Sequence, residues 1–274
     1  MSRDWTEFVQ SQHLPWTETT LLAVDGVVET KVLSSDPETG ACSLLVRYPA
    51  GFSGPARQLA VDEEFLILDG TLVIGDTTYG HLGYAHAPSG YATGERSSAT
   101  GAIVLTFYSG KPQISAQTAA YDESRLVWGV SAYDVPYTGN FHPEFPPGAG
   151  RKLLYQDPVT GDTTWILGTM PLRWTERSEV HPFVEEMYLL SGEVHGDRGI
   201  FRPGAYFWRP ENKVHGPYGT LTGNLYFFRT KGGPLKTDYV DAETKFHWWP
   251  SHKPVLPAAL LPFGSPETDG PVCF

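Results

Sequence analysis

Apolar and polar residues follow the two-residue period of β-strands along much of the chain. The stretch NLYFFRT (224–230) alternates its large side chains between two faces, and TTWILGTM (163–170) is rich in β-branched and aromatic residues. FLILDGTLVI (65–74) consists of two apolar runs around Asp69-Gly70, a sequence that predicts a β-hairpin. Because helical periodicity is weak throughout, the pattern predicts an all-β protein.

The chain also contains an internal repeat. DPETG recurs as DPVTG 121 residues later, and EEFLILDG recurs as EEMYLLSG 122 residues later. Residues 75–94 and 196–216 align with a single inserted residue. Since several landmarks keep their order and spacing in both halves, the sequence predicts two copies of one β unit.

This repeat predicts four segments. Residues 1–112 are expected to form a first barrel and residues 151–235 a second one. Residues 113–150, which include the sequence PPGAG, are expected to be a linker. Residues 236–274 carry two adjacent tryptophans and six prolines, and we expect an extended tail packed on the barrels.

Composition narrows the class of protein. The 29 glycines and 23 prolines suit short strands joined by tight turns, and an apolar content of 41% allows a buried core. A net charge of −11 disfavours binding to nucleic acid or to an anionic membrane. The N-terminal MSRDWTEFVQ has no apolar signal core, and PVLPAALLPF (254–263) is too short to span a bilayer. We therefore expect a cytoplasmic protein.

Metal-binding residues occur at regular spacing in the second repeat. His181 is followed by Glu185 four residues later and by Gly192 after seven more, and Pro210 precedes His215 by five. This order resembles the two motifs of the cupin superfamily. The resemblance implies that each repeat is an antiparallel jelly-roll barrel and that the chain is a bicupin, two tandem cupin barrels.

Within the cupins, EEFLILDG and residues 84–102 are similar to the ChrR-type group. That group includes anti-sigma-factor domains and dioxygenases acting on small ketones such as dihydroxyacetophenone. An anti-sigma role is disfavoured, because the first hundred residues lack zinc-finger spacing. Cupins commonly pair through sheet edges, so the resemblance also raises the expectation of a homodimer.

The first repeat departs strongly from the cupin motifs. Arg57, Leu59 and Thr93 stand where the family has histidines, and only Glu63 remains. Arginine, leucine and threonine side chains cannot hold a divalent ion. The first barrel is therefore predicted to be metal-free.

The second repeat departs at one position only, where Glu179 replaces the first histidine. Glu179 and His181 share a face if they lie on a strand, Glu185 begins the next strand, and His215 comes from a distant one. Two imidazoles and one or two carboxylates suit one divalent ion, with Fe(II) favoured and Zn(II) or Mn(II) as alternatives.

The sequence leaves alternatives for individual residues of this site. Glu179 is predicted either to bind the metal, to accept a proton beside it as a catalytic residue, or to pair with Arg173 or Arg177. The carboxylate ligand is Glu185, or Glu186 if the strand register slips by one residue. His195, in EVHGDRG, is expected to be a solvated turn residue.

These residues favour a metal-dependent enzyme that acts on a small molecule. The first hypothesis is a non-haem Fe(II) dioxygenase that cleaves a small carbonyl or phenolic substrate. The alternatives are a non-oxidative lyase, isomerase or hydrolase using Zn(II) or Mn(II), and a ligand sensor or binding protein.

Overall fold

The computed structural model describes residues 3–115, 120–139, 144–145, 147–268 and 272–274, which fall into two compact units. The first unit comprises Met1–Arg3 and Pro15–Asp134, and the second comprises Asp4–Leu14 and Val135–Phe274. The described residues contain strands and short 3-10 turns but no α-helix, so the all-β prediction is confirmed. None of these described segments is a helix long and apolar enough to cross a membrane.

Strands are numbered along the chain, and the first of them, β1 (Thr6–Gln10), belongs to the second unit. The strands of the first unit are β2 (Thr17–Leu21), β3 (Gly26–Ser35), β4 (Cys42–Tyr48), β5 (Phe52–Gly54), β6 (Arg57–Gln58), β7 (Glu63–Gly70), β8 (Leu72–Ile74), β9 (Thr77–Tyr79), β10 (Gly83–Ala87), β11 (Ala92–Thr93), β12 (Arg96–Ser98), β13 (Ala102–Tyr108) and β14 (Val127–Ser131).

The strands that follow β14 all belong to the second unit. They are β15 (Ala149–Gln156), β16 (Thr163–Thr169), β17 (Arg173–Trp174), β18 (Arg177–Val180), β19 (Val184–Gly192), β20 (Val194–Gly196), β21 (Gly199–Phe201), β22 (Ala205–Arg209), β23 (Gly219–Thr220), β24 (Asn224–Lys231) and β25 (Asp238–Asp241). The 3-10 turns are η1 (Ser11–His13), η2 (Glu123–Arg125) and η3 (Leu261–Phe263).

The two units repeat one antiparallel strand order. The large sheet of the first unit runs β14-β10-β7-β13-β4-β3-β2, and that of the second runs β1-β22-β19-β24-β16-β15. The strands β7 and β19 carry the repeated EEFLILDG and EEMYLLSG segments, and each lies between corresponding neighbours. A smaller sheet follows in each unit, β5-β12-β8-β9 in the first and β17-β23-β20-β21 in the second.

The repeated DPxTG segments form the same turn. Asp36 Oδ1 accepts hydrogen bonds from the backbone N–H groups of Glu38 and Thr39, at 2.9 and 3.1 Å. Asp157 Oδ1 accepts the equivalent pair from residues 159 and 160, at 2.8 and 2.9 Å. An aspartate side chain that bonds its own backbone two residues on stabilises a tight turn, which explains why this segment recurs in both units.

The predicted hairpin at Asp69-Gly70 is wrong. Strand β7 pairs with β10 and β13, whereas β8 pairs with β9 and β12 in the smaller sheet. Gly70, with φ of 74°, bends the chain from one sheet into the other, and a Cβ there would lie 2.1 Å from the Gly101 carbonyl oxygen. Gly192 occupies the same bend in the second unit, with φ of 79°. The Asp-Gly pair therefore marks a corner between sheets rather than a hairpin turn.

Each unit has its own apolar core. In the first unit, Val46, Phe65, Ile67 and Val104 are among the buried side chains contributed by adjacent strands. The core of the second unit includes Phe8, Trp165, Met187, Leu189, Phe201, Phe207 and Phe228. Strand β1 contributes Phe8 to this second core, because β1 pairs with β22 at the edge of the large sheet.

Candidate metal site

Two histidines from different segments meet in the second unit. His181 follows β18 directly, and His215 lies in the loop between β22 and β23. Reciprocal backbone hydrogen bonds between Glu179 and His215, at 2.9 and 3.0 Å, tie the two segments together. The imidazole centroids are therefore only 4.9 Å apart, with the ring planes at 81°.

Both rings are oriented by backbone carbonyl groups. His181 Nδ1 lies 2.8 Å from the carbonyl oxygen of Lys236, and His215 Nδ1 lies 2.9 Å from that of Glu179. A carbonyl can only accept a hydrogen bond, so each Nδ1 carries a proton, and in the neutral tautomer the lone pair of each ring lies on Nε2. His181 Nε2 is buried without a hydrogen-bond partner, and buried polar atoms rarely lack one.

Glu179 completes a set of three donor groups with these histidines. One ligand atom from each of Glu179, His181 and His215 can be chosen so that all three lie within 4.8 Å of one another. Glu179 Oε2 is 4.0 Å from His181 Nε2, and 16% of the Glu179 side chain is exposed. Burial raises the pKa of the Glu179 carboxyl group, and a cation bound beside it would lower that pKa again.

Of the two adjacent glutamates, Glu185 faces the imidazoles. Its Oε1 lies 3.5 Å from His181 Nε2, and its Oε2 lies 3.6 Å from His215 Nε2. Glu186 points to the other face of β19, where it accepts hydrogen bonds from Tyr206 Oη at 2.6 Å and from Arg229 Nη1 at 2.7 Å. The register therefore brings Glu185 to the histidines and keeps Glu186 away from them.

A buried guanidinium stands behind Glu185, and the sequence alone did not single it out. Arg209, at the end of β22, donates from Nη1 to Glu185 Oε2 at 2.5 Å and from Nη2 to Tyr218 Oη at 2.9 Å. Arg209 also binds both carboxylate oxygens of Glu7, at 2.5 and 3.0 Å. Arg209 could have been noticed in the sequence as a charged residue at the end of the apolar strand AYFWR. No feature of the sequence pointed to Glu7.

Arg173 and Arg177, the two arginines predicted as possible partners of Glu179, make different contacts. Arg177 pairs with Glu144 and donates to the Tyr239 carbonyl oxygen. Arg173 donates from Nε to the Pro147 carbonyl oxygen at 2.9 Å, and its guanidinium stacks 4.6 Å from the Phe145 ring. Burial lowers the pKa of Arg173, and the charges of Tyr226 and Glu179 partly oppose this, so of these two arginines Arg173 is the one that interacts electrostatically with Glu179.

A cavity of about 90 Å³ opens beside the donor groups. A water molecule needs roughly 10–15 Å³ of such space, so the cavity can take a few waters or one small ligand. Glu179, Glu185 and His215 line one part of it, together with Arg173 and Arg209. The rest of the lining is largely apolar: Phe145, Leu167, Met187, Val194, Phe201, Phe207, Tyr218, Tyr226 and Phe228.

The donor set fits a divalent metal ion. Ligands bound to one ion at about 2.0–2.2 Å lie roughly 3–4 Å from one another, close to the 3.5, 3.6 and 4.0 Å separations among His181, His215, Glu179 and Glu185. Burial lowers the pKa of His215 well below its usual value, and the charge of Arg209 contributes. His215 is thus neutral at pH 7, as metal binding requires.

The corresponding glutamate of the first unit, Glu63, is also bonded to a buried arginine. Both carboxylate oxygens of Glu63 accept hydrogen bonds from Arg96, and Tyr108 Oη donates to Oε1 at 3.1 Å. Arg57 forms an ion pair with Asp25, and Thr93 Oγ1 donates to the Arg57 carbonyl oxygen. Glu63 is therefore neutralised by a guanidinium. The metal-free first barrel remains a prediction.

His195 is buried, so the expectation of a solvated turn residue is wrong. Only 1% of it is exposed, and its Nδ1 lies 2.5 Å from the Trp248 carbonyl oxygen. The C-terminal residues cover it, with the Trp248 and Trp249 rings packed edge-on against the imidazole. His195 is not a member of the donor cluster found among the described residues.

Solved structures with the same fold include proteins of several organisms. A candidate dioxygenase from Nostoc punctiforme aligns with a TM-score of 0.72 at 18% identity, covering 89% of this chain and 87% of its own. The protein Ylba from E. coli aligns with 0.59 at 12% identity, with coverages of 84% and 92%. A Bacillus subtilis oxalate decarboxylase with Mn(II) centres aligns with 0.52 at 11% identity, with coverages of 85% and 79%.

These structural neighbours are cupin-fold proteins, so the cupin jelly-roll fold predicted from the sequence is confirmed. No curated protein sequence matches the chain. The sequence model of DUF4437, a domain of unknown function, matches residues 7–236, which is most of the chain. The chain therefore belongs to the DUF4437 family.

Proposed function

We propose that this protein is a metal-dependent bicupin enzyme whose second unit holds one divalent ion. Fe(II) is the favoured ion, and the proposed reaction is the oxidative cleavage of a small carbonyl or phenolic substrate by O2. The observation that carries the proposal is the convergence of His181 Nε2, which is buried without a hydrogen-bond partner, with His215, Glu179 and Glu185 beside a cavity.

The ion, when bound, would supply a Lewis acid with open positions for substrate oxygen atoms and O2. His181 and His215 would hold it through Nε2, since their Nδ1 atoms are engaged by carbonyl groups. Glu185 would be a third ligand, and its hydrogen bond to Arg209 fixes its orientation. Glu179 would be either a fourth ligand or the group that accepts a proton from the substrate.

The cavity suits a substrate with an apolar body and oxygen atoms at one end. Aromatic and aliphatic side chains on one side exclude water, as in most small-molecule sites. Arg173 lines the same cavity and would stabilise an enolate or phenolate oxygen as the substrate loses its proton. The structural likeness to a candidate dioxygenase from Nostoc punctiforme agrees with this reaction class.

A non-oxidative reaction is the second candidate. Glu179 stands where a cupin motif has a histidine, and an additional carboxylate ligand lowers the Lewis acidity of the bound ion. Such a site suits Mn(II) or Zn(II) in a lyase, isomerase or hydrolase, and the oxalate decarboxylase with Mn(II) centres shares the fold. A ligand-binding or sensing role requires the same cavity but no turnover.

Metal loading combined with oxygen measurement distinguishes these candidates. The protein is loaded anaerobically with Fe(II), Mn(II) or Zn(II), and each form is mixed with small hydroxyketones and catechols. We expect the Fe(II) form to consume O2 and to place oxygen from labelled O2 in the products. Turnover without O2 uptake in the Mn(II) or Zn(II) form would support the non-oxidative reaction, and binding without turnover would support a sensor. A protein that retains none of the three ions would contradict the proposal.

A further inference from the structure

The N-terminal strand brings a buried carboxylate to the candidate site. Strand β1 lies beside β22 in the large sheet of the second unit, the place that β14 takes beside β10 in the first unit. Glu7, on β1, pairs with Phe207 of β22, and its backbone N–H and carbonyl groups are both bonded to Val255. None of the Glu7 surface is exposed. The backbone thus fixes the position of this side chain from two directions.

The Glu7 carboxylate is held by donors on each side. Arg209 donates to both of its oxygens, from Nη2 to Oε1 at 2.5 Å and from Nε to Oε2 at 3.0 Å. Trp5 Nε1 donates to Oε2 at 3.0 Å, and Tyr218 Oη lies 3.5 Å from Oε1. A two-point guanidinium–carboxylate pair is both strong and directional, so Glu7 sets the plane of the Arg209 guanidinium.

That plane determines which donor reaches the proposed metal ligand. With Nε and Nη2 engaged by Glu7, Arg209 presents Nη1 to Glu185 Oε2, at 2.5 Å. One oxygen of Glu185 is thereby fixed, and the other stays 3.5 Å from His181 Nε2. Glu7 therefore orients Glu185 without touching it.

Glu7, Arg209 and Glu185 also determine the net charge beside the proposed metal ion. Two carboxylates and one guanidinium leave one net negative charge in a buried site, where charges are weakly screened. If Glu7 is replaced by a neutral residue, the remaining Arg209–Glu185 pair carries no net charge. The positive charge of Arg209 would then repel a bound divalent ion more strongly, because the Glu7 carboxylate no longer offsets it.

We propose that Glu7 is a positioning residue for the metal site, acting through Arg209 to keep Glu185 oriented and to balance the charge of the guanidinium. The proposal rests on the proposed metal-binding function of the second unit. It connects a residue of strand β1 to a site whose proposed metal ligands lie between residues 179 and 215.

The test compares divalent metal affinity in the full-length wild type and in Glu7→Gln. Glutamine keeps the size and one hydrogen-bond acceptor but removes the charge. We expect Mn(II) and Zn(II) to bind about 10- to 100-fold more weakly, the usual effect of losing an outer partner of a ligand. Affinity is measured by competition with a chelating dye, and the electron paramagnetic resonance spectrum of bound Mn(II) reports any change in its ligand geometry.

Further variants separate this role from general destabilisation. Glu63→Gln removes the charge of a buried glutamate that is also paired with an arginine, but in the first unit, and it should leave metal affinity unchanged. In an Arg209→Met background, adding Glu7→Gln should cause little further loss of metal affinity, because Glu7 acts through Arg209. If Glu7→Gln does not fold, Glu7→Asp takes its place. Glu7→Asp keeps the charge but shortens the side chain, so a smaller loss of metal affinity is expected.

The outcomes are distinct. A wild type that binds neither ion contradicts the proposed metal site itself. A wild type that binds metal, with Glu7→Gln binding equally well and giving the same Mn(II) spectrum, overturns the role of Glu7 and leaves the metal site intact. A Glu63→Gln variant that loses as much affinity as Glu7→Gln also overturns it, because the effect would then follow from lost stability.

Discussion

The imidazole rings of His181 and His215 lie edge to face with their centroids 4.9 Å apart. Each ring donates from Nδ1 to a backbone carbonyl group, and each presents Nε2 toward Glu185. Two imidazoles held in this way next to a carboxylate are already oriented for binding a cation.

Replacement of either imidazole tests this site. His181→Ala and His215→Ala should each lower metal affinity by more than the roughly 10- to 100-fold expected for an outer partner, because a direct ligand is lost. Metal content after dialysis, with circular dichroism to monitor folding, measures the effect. His195→Ala is the matched control, since His195 is equally buried and also bonds a carbonyl group through Nδ1. A loss of metal in the control as large as in the other two would contradict the assignment.

The two adjacent glutamates should respond in opposite ways. Glu185→Gln is expected to weaken metal binding, because its oxygens lie 3.5 and 3.6 Å from the two Nε2 atoms. Glu186→Gln should leave metal binding unchanged but lower the free energy of unfolding by about 3 kcal/mol, since it removes a negatively charged partner of buried Arg229. Urea unfolding and metal titration of both variants measure this. Equal metal affinities in the two variants would show that the register argument fails.

The first unit should bind no metal, and the Arg96–Glu63 pair should stabilise it. Arg96→Met leaves the buried Glu63 charge without its guanidinium and should cost about 3–5 kcal/mol. The double variant Arg96→Met, Glu63→Gln should recover part of this loss, because no buried charge remains. Urea unfolding measures both effects.

The metal-free first unit is tested by metal stoichiometry, which is measured by elemental analysis and should be one ion per chain in the wild type. A second bound ion that disappears in Glu63→Gln would contradict the prediction.

Stability in the alkaline range should depend on Lys31. Burial, together with the charge of Arg47, lowers the pKa of Lys31 from 10.5 to about 8, whereas the unfolded chain keeps the ordinary value. Between these pH values the unfolded state binds more protons, so the Lys31 contribution to stability rises with pH from about 8 to about 10.5. Below about pH 8 the destabilising effect of the charged group is fully present.

The measurement compares urea unfolding of the wild type and Lys31→Met at about pH 7 and about pH 10. The wild type should gain stability relative to the variant as the pH rises, because the variant lacks the titrating group. A stability difference that stays constant over this range would contradict the lowered pKa. Changes common to both proteins, from other titrating groups, cancel in the comparison.

The sequence predicted the parts of the site that lie in repeated motifs. His181, Glu185 and His215 could be chosen because their spacing matches a known pattern, and the structure brings their side chains together. Spacing favoured Glu185 but left Glu186 open, and in the structure it is Glu185 that faces the imidazoles, since alternate residues of a strand face opposite sides. The fold class followed from the same two-residue period.

Contacts between distant segments could not be predicted in this way. Glu7 lies on a strand with no motif, and nothing in the local pattern indicates that it pairs with β22. His195 was expected to be solvated because its neighbours are polar, but the Trp248 segment covers it. The Asp69-Gly70 pair suits a hairpin locally, yet hydrogen bonding to other strands directs the chain into a second sheet.

The most direct test of the account is anomalous diffraction from crystals grown with Mn(II) or Zn(II). One strong peak is predicted within about 2.0–2.3 Å of His181 Nε2 and His215 Nε2, with a Glu185 or Glu179 oxygen at a similar distance. The account would be contradicted by an anomalous peak at another position. It would also be contradicted by a crystal of metal-treated protein in which these four side chains contact only each other and water.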